Sequence, residues 1–201
     1  MNDHFEEAFE KTREAGAIAA NTLDEVSTII KPGISTQSID KLCYDFINDH
    51  HAYSAPLFYR GFPKSCCTSA NHIVCHGVPS EKILKDGDII NVDVTAFKSG
   101  WHGDTSRMFF VGETSVKAKK LVNATYNSMI KGIEAINKDS TVGDIGFAIQ
   151  SYVEKEGFSV VRDFCGHGIG ETFHKSPNIL HYGEKGSGVK LLPGMIFTVE
   201  P

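Results

Sequence analysis

Leu84-Lys-Asp-Gly-Asp-Ile-Ile-Asn-Val-Asp93 returns near the other end of the chain as Leu191-Leu-Pro-Gly-Met-Ile-Phe-Thr-Val-Glu200. Leu84, Gly87, Ile89 and Val92 recur as Leu191, Gly194, Ile196 and Val199, and the acid Asp93 recurs as the acid Glu200. The residues upstream recur too. Ser35, Ile39, Cys43, Phe46 and Ile47 stand one constant spacing before Thr141, Ile145, Ile149, Tyr152 and Val153. Self-similarity at a fixed interval marks a duplicated structural unit. It predicts two similar halves, about 5–111 and 115–201.

Local patterns around each copy agree with that division. Phe5, Phe9, Ala15, Ala19, Leu23, Val26 and Ile30 recur mostly four apart, which predicts a helix over 5–30. Lys31-Pro-Gly33 ends it, and Ser35 or Thr36 caps a second helix through about His51, with Ile39, Cys43, Phe46 and Ile47 as its buried stripe. An extended segment over Ala52–Tyr59 follows, then a loop rich in Gly, Pro, Ser and Cys. Next come Ile73–His76 and a strand pair, Ile89–Phe97 with Trp101–Val111. Around the second copy, Val122, Tyr126, Met129, Ile133 and Ile136 mark a helix. Thr141 caps another, which carries Ile145, Ile149, Tyr152 and Val153 and ends at Gly157, and Ser159-Val-Val161 reads as a strand. Helix, capped helix, strand thus occurs twice.

Bulk properties narrow the class. The 201 residues are 41% hydrophobic, enough for one domain with a sizeable core. Twenty basic residues against 25 acidic ones give a net charge of −5, and the basic residues are scattered. That argues against nucleic acid as a main partner, since phosphate binding needs clustered Lys and Arg. The small cluster Lys117-Ala-Lys-Lys120 reads as a solvated helix face. Residues 1–14 are acidic and amphipathic, unlike a signal peptide, and no apolar run approaches membrane-spanning length. Five cysteines without CxxC pairs, two of them the neighbours Cys66 and Cys67, point to a reducing cytoplasm.

Two acids on the predicted strand pair draw attention first. Asp93 alternates with valines in Ile90-Asn-Val-Asp-Val94, so its side chain faces away from theirs. A two-residue turn at Lys98-Ser99 would pair Asp93 with Asp104 across the hairpin, their Cβ atoms roughly 5 Å apart. Like charges so placed repel unless a cation lies between them. They are also compatible with two solvent-facing acids on an ordinary hairpin. Cys165-Gly-His-Gly-Ile-Gly170 is a glycine-rich turn around His167, followed by Phe173 and His174; it lacks the ending and spacing of a phosphate loop. A lone histidine is usually structural. Two carboxylates, His167 and Glu200 together form an oxygen-rich donor set that suits Mn²⁺, Fe²⁺ or Co²⁺ better than a closed structural zinc site. His76, just before Gly77, is a candidate hydrogen-bond donor near such a site. His72 reads as packed or solvated. No cysteine has a nucleophile's context, and the GxSxG serine motif is absent.

Taken together, the chain resembles the bacterial type I methionine aminopeptidases. The matching stretches are Gly61-Phe-Pro-Lys-Ser65, His72-Ile-Val-Cys-His-Gly77, Asp86–Asp93, His102-Gly-Asp-Thr-Ser-Arg-Met108, Gly166-His-Gly-Ile-Gly170 with Phe173-His174, and Pro193–Pro201. They run in family order over nearly the whole chain. The resemblance implies an α+β, pita-bread fold: two pseudo-symmetric αβ halves around a curved antiparallel sheet, here one catalytic domain over 1–201. It implies Asp93, Asp104, His167 and Glu200 as ligands of two divalent metal ions (Co, Mn, Fe or Zn), and His76, His174 and Glu200 as catalytic residues. Tyr59, Phe62, Cys67 and Phe173 match the family's methionine pocket, which His76 and His174 also border.

The implied activity is removal of the initiator methionine from nascent polypeptides by a metal-activated hydroxide. The implied setting is a cytoplasmic monomer working at the ribosome, with no nucleic-acid substrate and no membrane. Family members continue past Thr198-Val-Glu-Pro201 with a bridging glutamate and an aromatic pocket wall. The expectation is therefore of a C-terminally truncated chain whose second half and metal site are incomplete. Two alternatives are an inactive remnant and another pita-bread peptidase of prolidase or creatinase type. Pro56 and Glu171 stand where relatives often carry other residues.

Overall fold

The computed structural model describes residues 3–201, with side chains from Phe5 onward. The chain divides into two compact units, 1–115 and 116–201.

In the first unit, helix α1 (Asp3–Ile29) and helix α2 (Thr36–Asp49) cover a four-stranded antiparallel sheet. Strands β3 (Ile89–Lys98) and β4 (Trp101–Phe110) form its hairpin. Along the other edge of β3 lie two short strands end to end: β1 (Tyr53–Ser54) against Ala96–Phe97, and β2 (Cys67–Ala70) against Ile90–Asp93. Ala19, Leu23 and Val26 of α1, Ile39, Cys43 and Ile47 of α2, and Ile90, Val92, Val94 and Ala96 of β3 make one buried core. Each fully buried aliphatic side chain contributes about 1.5–3 kcal/mol. Phe5 and Phe9, expected on the apolar stripe, are exposed; the stripe begins at Ala8. The Ser35 hydroxyl accepts the backbone N–H of Ser38 and caps α2. At Gly103 the sheet and α1 touch: a Cβ there would lie 2.1 Å from the Gly16 nitrogen.

The hairpin turn is Ser99-Gly100, not Lys98-Ser99. Both turn residues have positive φ, 52° and 87°, the backbone of the two-residue turn that matches strand twist. Glycine takes this conformation without strain, and lysine does not. The expected extended run over Ala52–Tyr59 shrinks to β1, because the chain turns at Pro56 and enters a 3₁₀ turn, Tyr59–Gly61, through left-handed Phe58. The polar segment expected as loop holds β2, and residues 71–76, which follow it, are loop.

In the second unit, helix α3 (Val116–Glu134) packs on helix α4 (Val142–Lys155). The packed face of α3 is the small-residue stripe Ala124, Ser128 and Gly132, with Tyr126 and Ile133 exposed. Small residues let Ile145 and Ile149 approach: a Cβ on Gly132 would meet Ile149 at 2.8 Å. Thr141 caps α4 as expected, in a capping box with Asp144. Ser159-Val-Val161 joins no strand. The unit's pairing is instead β5 (Gly166–Gly168) with β6 (Lys175–Ile179), antiparallel and bulged between His167 and Gly168. The glycine-rich segment expected as a turn is thus partly strand. Residues 191–201 form no continuous strand; they meet β5 through the Gly168–Phe197 bridge and a Thr198 N–H bond to the His167 carbonyl.

The two units repeat one internal pattern of backbone bonds. Ser35 bridges Ile83 as Thr141 bridges Lys190. Leu84 N–H donates to Ile34 as Leu191 N–H donates to Ser140, Thr36 to Lys82 as Val142 to Val189, and Gln37 to Ser80 as Gly143 to Ser187. In each unit the start of the second helix is therefore tied to the segment leading into the repeated motif.

Candidate functional site

Alternation along β3 sends Ile90, Val92, Val94 and Ala96 into the core and leaves Asn91, Asp93 and Thr95 on the opposite face. Asp93 sits in the middle of three strands, opposite Cys67 on β2 and Ser106 on β4. Asp104 lies opposite Thr95. The two acids share a face, as expected, but diagonally rather than as a direct cross-strand pair. Moving the turn to Ser99-Gly100 shifts the register by two residues, which preserves the face and lengthens the separation toward roughly 7 Å. Burial first, then the charges of Asp93 and Asp104, pushes the Cys67 thiol well above the ordinary cysteine range. Cys67 is thus a buried neutral thiol beside two carboxylates.

The other first-unit candidates lie on loops. His76 is exposed and left-handed at φ 53°, an unfavourable backbone for a non-glycine residue. It is followed by buried Gly77, whose carbonyl accepts the Thr68 N–H at 2.7 Å and whose N–H donates to the Ser69 hydroxyl at 3.1 Å. The loop bearing His76 is therefore sewn to β2. Tyr59 opens the 3₁₀ turn with the Arg60 guanidinium over its ring, 5.4 Å from the centroid. Phe62 is half-buried, and its carbonyl accepts the Phe58 N–H at 2.7 Å.

In the second unit, His167 gathers the rest. Its ring is 4.2 Å from that of His174 and 6.2 Å from that of Phe173, and Phe173 and His174 lie 4.1 Å apart. A cavity of about 220 Å³ is lined by Cys165, His167, His174, Lys175 and Asn178. His167 N–H donates to the Thr198 hydroxyl at 2.9 Å, and that hydroxyl donates to Glu200 Oε1 at 2.5 Å. Nδ1 of His167 lies 3.1 Å from the Gly168 carbonyl, which can only accept, so the proton sits on Nδ1. Nε2 is then the edge of the ring that faces Glu200 Oε1, 3.7 Å away. The residues that sequence reasoning missed are Thr198, which ties these two together, and His181. His181 is buried, and its Nε2 accepts the Glu200 N–H at 3.2 Å. Burial lowers its pKa to about 4. Nothing in Leu180-His-Tyr182 signals this role; Thr198 could have been found from its place beside Glu200.

Among the described residues, no three His, Cys, Asp or Glu side chains are grouped to hold a metal ion. The pairs nevertheless have the chemistry for one. The Nε2 edge of an imidazole and a carboxylate face each other at 3.7 Å, an arrangement that a cation between them, or a proton, makes favourable. The Nδ1–H bond to a backbone carbonyl is the usual support of a metal-binding histidine. Carboxylates with one imidazole suit divalent transition metals.

Residues 10–201 match metallopeptidase family M24. The chain belongs to that family. The methionine aminopeptidase of Rickettsia prowazekii is 55% identical over 198 residues, 98% of this chain and 76% of the relative. That of Escherichia coli K12 is 49% identical over 197 residues, 97% of this chain and 75% of the relative. The crystal structure of the R. prowazekii enzyme superposes with a TM-score of 0.95 over 96% of this chain and 78% of that one. Prolidase from Pyrococcus furiosus, 22% identical, aligns with a TM-score of 0.80 over 96% of this chain and 55% of that one, a likeness of fold alone. The M24 pita-bread architecture is thus the fold of this chain. No helix among the described residues is long and apolar enough to cross a membrane.

Proposed function

We propose that the chain removes the N-terminal methionine from newly made polypeptides by metal-dependent hydrolysis, residues 1–201 working as one catalytic domain. The observation that supports this most directly is the facing of His167 Nε2 and Glu200 Oε1 at 3.7 Å, in a family member whose relatives are methionine aminopeptidases. Asp93 and Asp104 on the first unit, and His167 and Glu200 on the second, are the ligands of two divalent ions in this assignment, with Co, Mn, Fe or Zn as the candidates. Bound divalent metal supplies Lewis-acid activation of water and of the scissile carbonyl.

The chain's own residues do the rest. Glu200 takes the proton of the attacking water and passes it to the amine that leaves as the C–N bond breaks. His174 donates to the carbonyl oxygen as negative charge develops on it, and His76 donates to the peptide. Tyr59, Phe62, Cys67 and Phe173 receive the methionine side chain, with the neutral Cys67 thiol giving a soft wall for a thioether. The setting proposed is a monomer in the cytoplasm acting on nascent chains at the ribosome.

The test is methionine release from a Met-Ala-Ser peptide by the purified chain. Release that EDTA abolishes and Mn²⁺ or Co²⁺ restores is the expected result. No release with any of the four metals overturns the proposal, and selective cleavage of Xaa-Pro dipeptides would move the assignment to the prolidase branch.

A further inference from the structure

Asp40, on α2, is an acid with almost no exposed surface, 6%. A buried carboxylate persists only when its oxygens are satisfied, and here one segment satisfies them. Asp40 Oδ1 accepts the Ser65 N–H at 2.8 Å, the Ser65 hydroxyl at 2.7 Å and the Cys66 N–H at 3.3 Å. Oδ2 lies 3.9 Å from the Lys64 ammonium, which also bonds Gln37 one turn earlier on α2. Lys64, Ser65 and Cys66 immediately precede β2.

Strand β2 has only four residues, too few to fix its own register, and a slip by one residue would turn every side chain to the other face. Both of its edges carry candidate site residues. One edge pairs Cys67 with Asp93. The other receives the Gly77 backbone, directly after His76.

We propose that Asp40 is a positioning residue of the substrate site: by gripping Lys64-Ser65-Cys66 it sets β2 so that Cys67 meets Asp93 and the loop at Gly77 seats His76. In its functional part this rests on the assignment of Cys67 and His76 to the methionine site. Asp40 touches no substrate; it acts through β2.

Two measurements on the full chain test it. The first is iodoacetamide labelling of Cys67, located by mass spectrometry, with half-buried Cys165 in the other unit as internal reference. The second is KM and kcat for Met-Ala-Ser hydrolysis with Mn²⁺. In Asp40→Ala, Cys67 is expected to label about tenfold faster than in the wild type while Cys165 is unchanged, and KM is expected to rise about tenfold with a smaller change in kcat, because displacements of an ångström in a positioning element have effects of this size or larger. Asp40→Asn keeps an oxygen that accepts from Ser65 and Cys66, and is expected to return both values most of the way. Ser65→Ala, a milder change that removes the hydroxyl donor to Oδ1 and leaves the carboxylate in place, is expected to shift both in the same direction by less.

Unchanged Cys67 labelling in folded Asp40→Ala and Ser65→Ala overturns the proposal. So does a fall in kcat at unchanged KM, the mark of a smaller folded fraction. Faster Cys67 labelling in a chain whose wild type releases no methionine supports the positioning and overturns the assigned reaction, so the two failures are distinguishable.

Discussion

His181 Nε2 accepts the backbone N–H of Glu200 at 3.2 Å. Only a histidine with no proton on that nitrogen can do this. Its side chain is buried, and its pKa falls from 6.5 to about 4 because burial penalises the charged form. In the unfolded chain the same imidazole takes a proton as pH drops below 6.5. Between pH 6.5 and 4 the unfolded state therefore binds more protons than the folded state, and stability rises with pH across that window. The contribution is fully present above pH 6.5 and is lost as pH falls through 4, amounting to about 3 kcal/mol. Urea unfolding at pH 7 and pH 4.5, in EDTA to remove the separate pH dependence of metal binding, is expected to show this loss. His181→Asn is expected to flatten the slope between the two pH values.

Thr141 and Ser35, as capping residues, and the four-residue spacing of α1 made the helices legible from sequence, because local chemistry alone decides them. The hairpin was legible in its face but not in its register. That depended on which two residues accept positive φ, and the glycine at position 100 was the usable signal. Strands β2 and β5 were hidden for a different reason. Cys67-Thr-Ser-Ala70 and Gly166-His-Gly168 have little strand propensity of their own; distant backbone groups on Ile90–Asp93 and Lys175–Ile179 make them strands. The candidate residues Asp93, Asp104, His167 and Glu200 could be named because they sit in recognisable motifs. Their supports Asp40 and His181 could not, since a supporting side chain is defined by what it touches; of the supports only Thr198 stood beside a named residue, Glu200.

Gly103 allows a close approach of sheet and helix in the first unit. A Cβ added there would lie 2.1 Å from the Gly16 nitrogen and 2.3 Å from the Ala15 carbonyl carbon, both backbone atoms. No rotamer change relieves a clash with backbone, so α1 must lift from β4 and loosen the core beneath Ala19 and Leu23. Gly103→Ala is expected to cost about 3 kcal/mol, the upper part of the range for overpacking. Urea denaturation should show a lower midpoint at an unchanged m-value. A variant as stable as the wild type would mean that α1 yields freely at this contact.

His174 is packed against two rings, His167 at 4.2 Å and Phe173 at 4.1 Å, and it lines the cavity. Its assigned role is donation to the developing oxyanion, so truncation should strike the transition state rather than the bound substrate. His174→Ala is expected to lower kcat about a hundredfold with KM changed little, as for other single oxyanion donors. Normal turnover in this variant, measured by methionine release, would remove His174 from the mechanism.

Thr198 offers the most direct separation of shape from hydrogen bonding. Its hydroxyl accepts the His167 N–H at 2.9 Å and donates to Glu200 Oε1 at 2.5 Å, so one group orients both candidate ligands. Thr198→Val keeps the volume and deletes the hydroxyl. The His167 N–H then loses its acceptor, at a cost of about 1–3 kcal/mol. The Glu200 carboxylate loses the donor that holds its rotamer, and removal of such an outer support typically weakens metal binding about 10- to 100-fold. Calorimetric titration with Mn²⁺ should record that loss, and Thr198→Ser, which retains the hydroxyl, should recover most of it. Equal affinity in the valine and serine variants would mean that the Thr198 hydroxyl does not hold Glu200 in its ligating position.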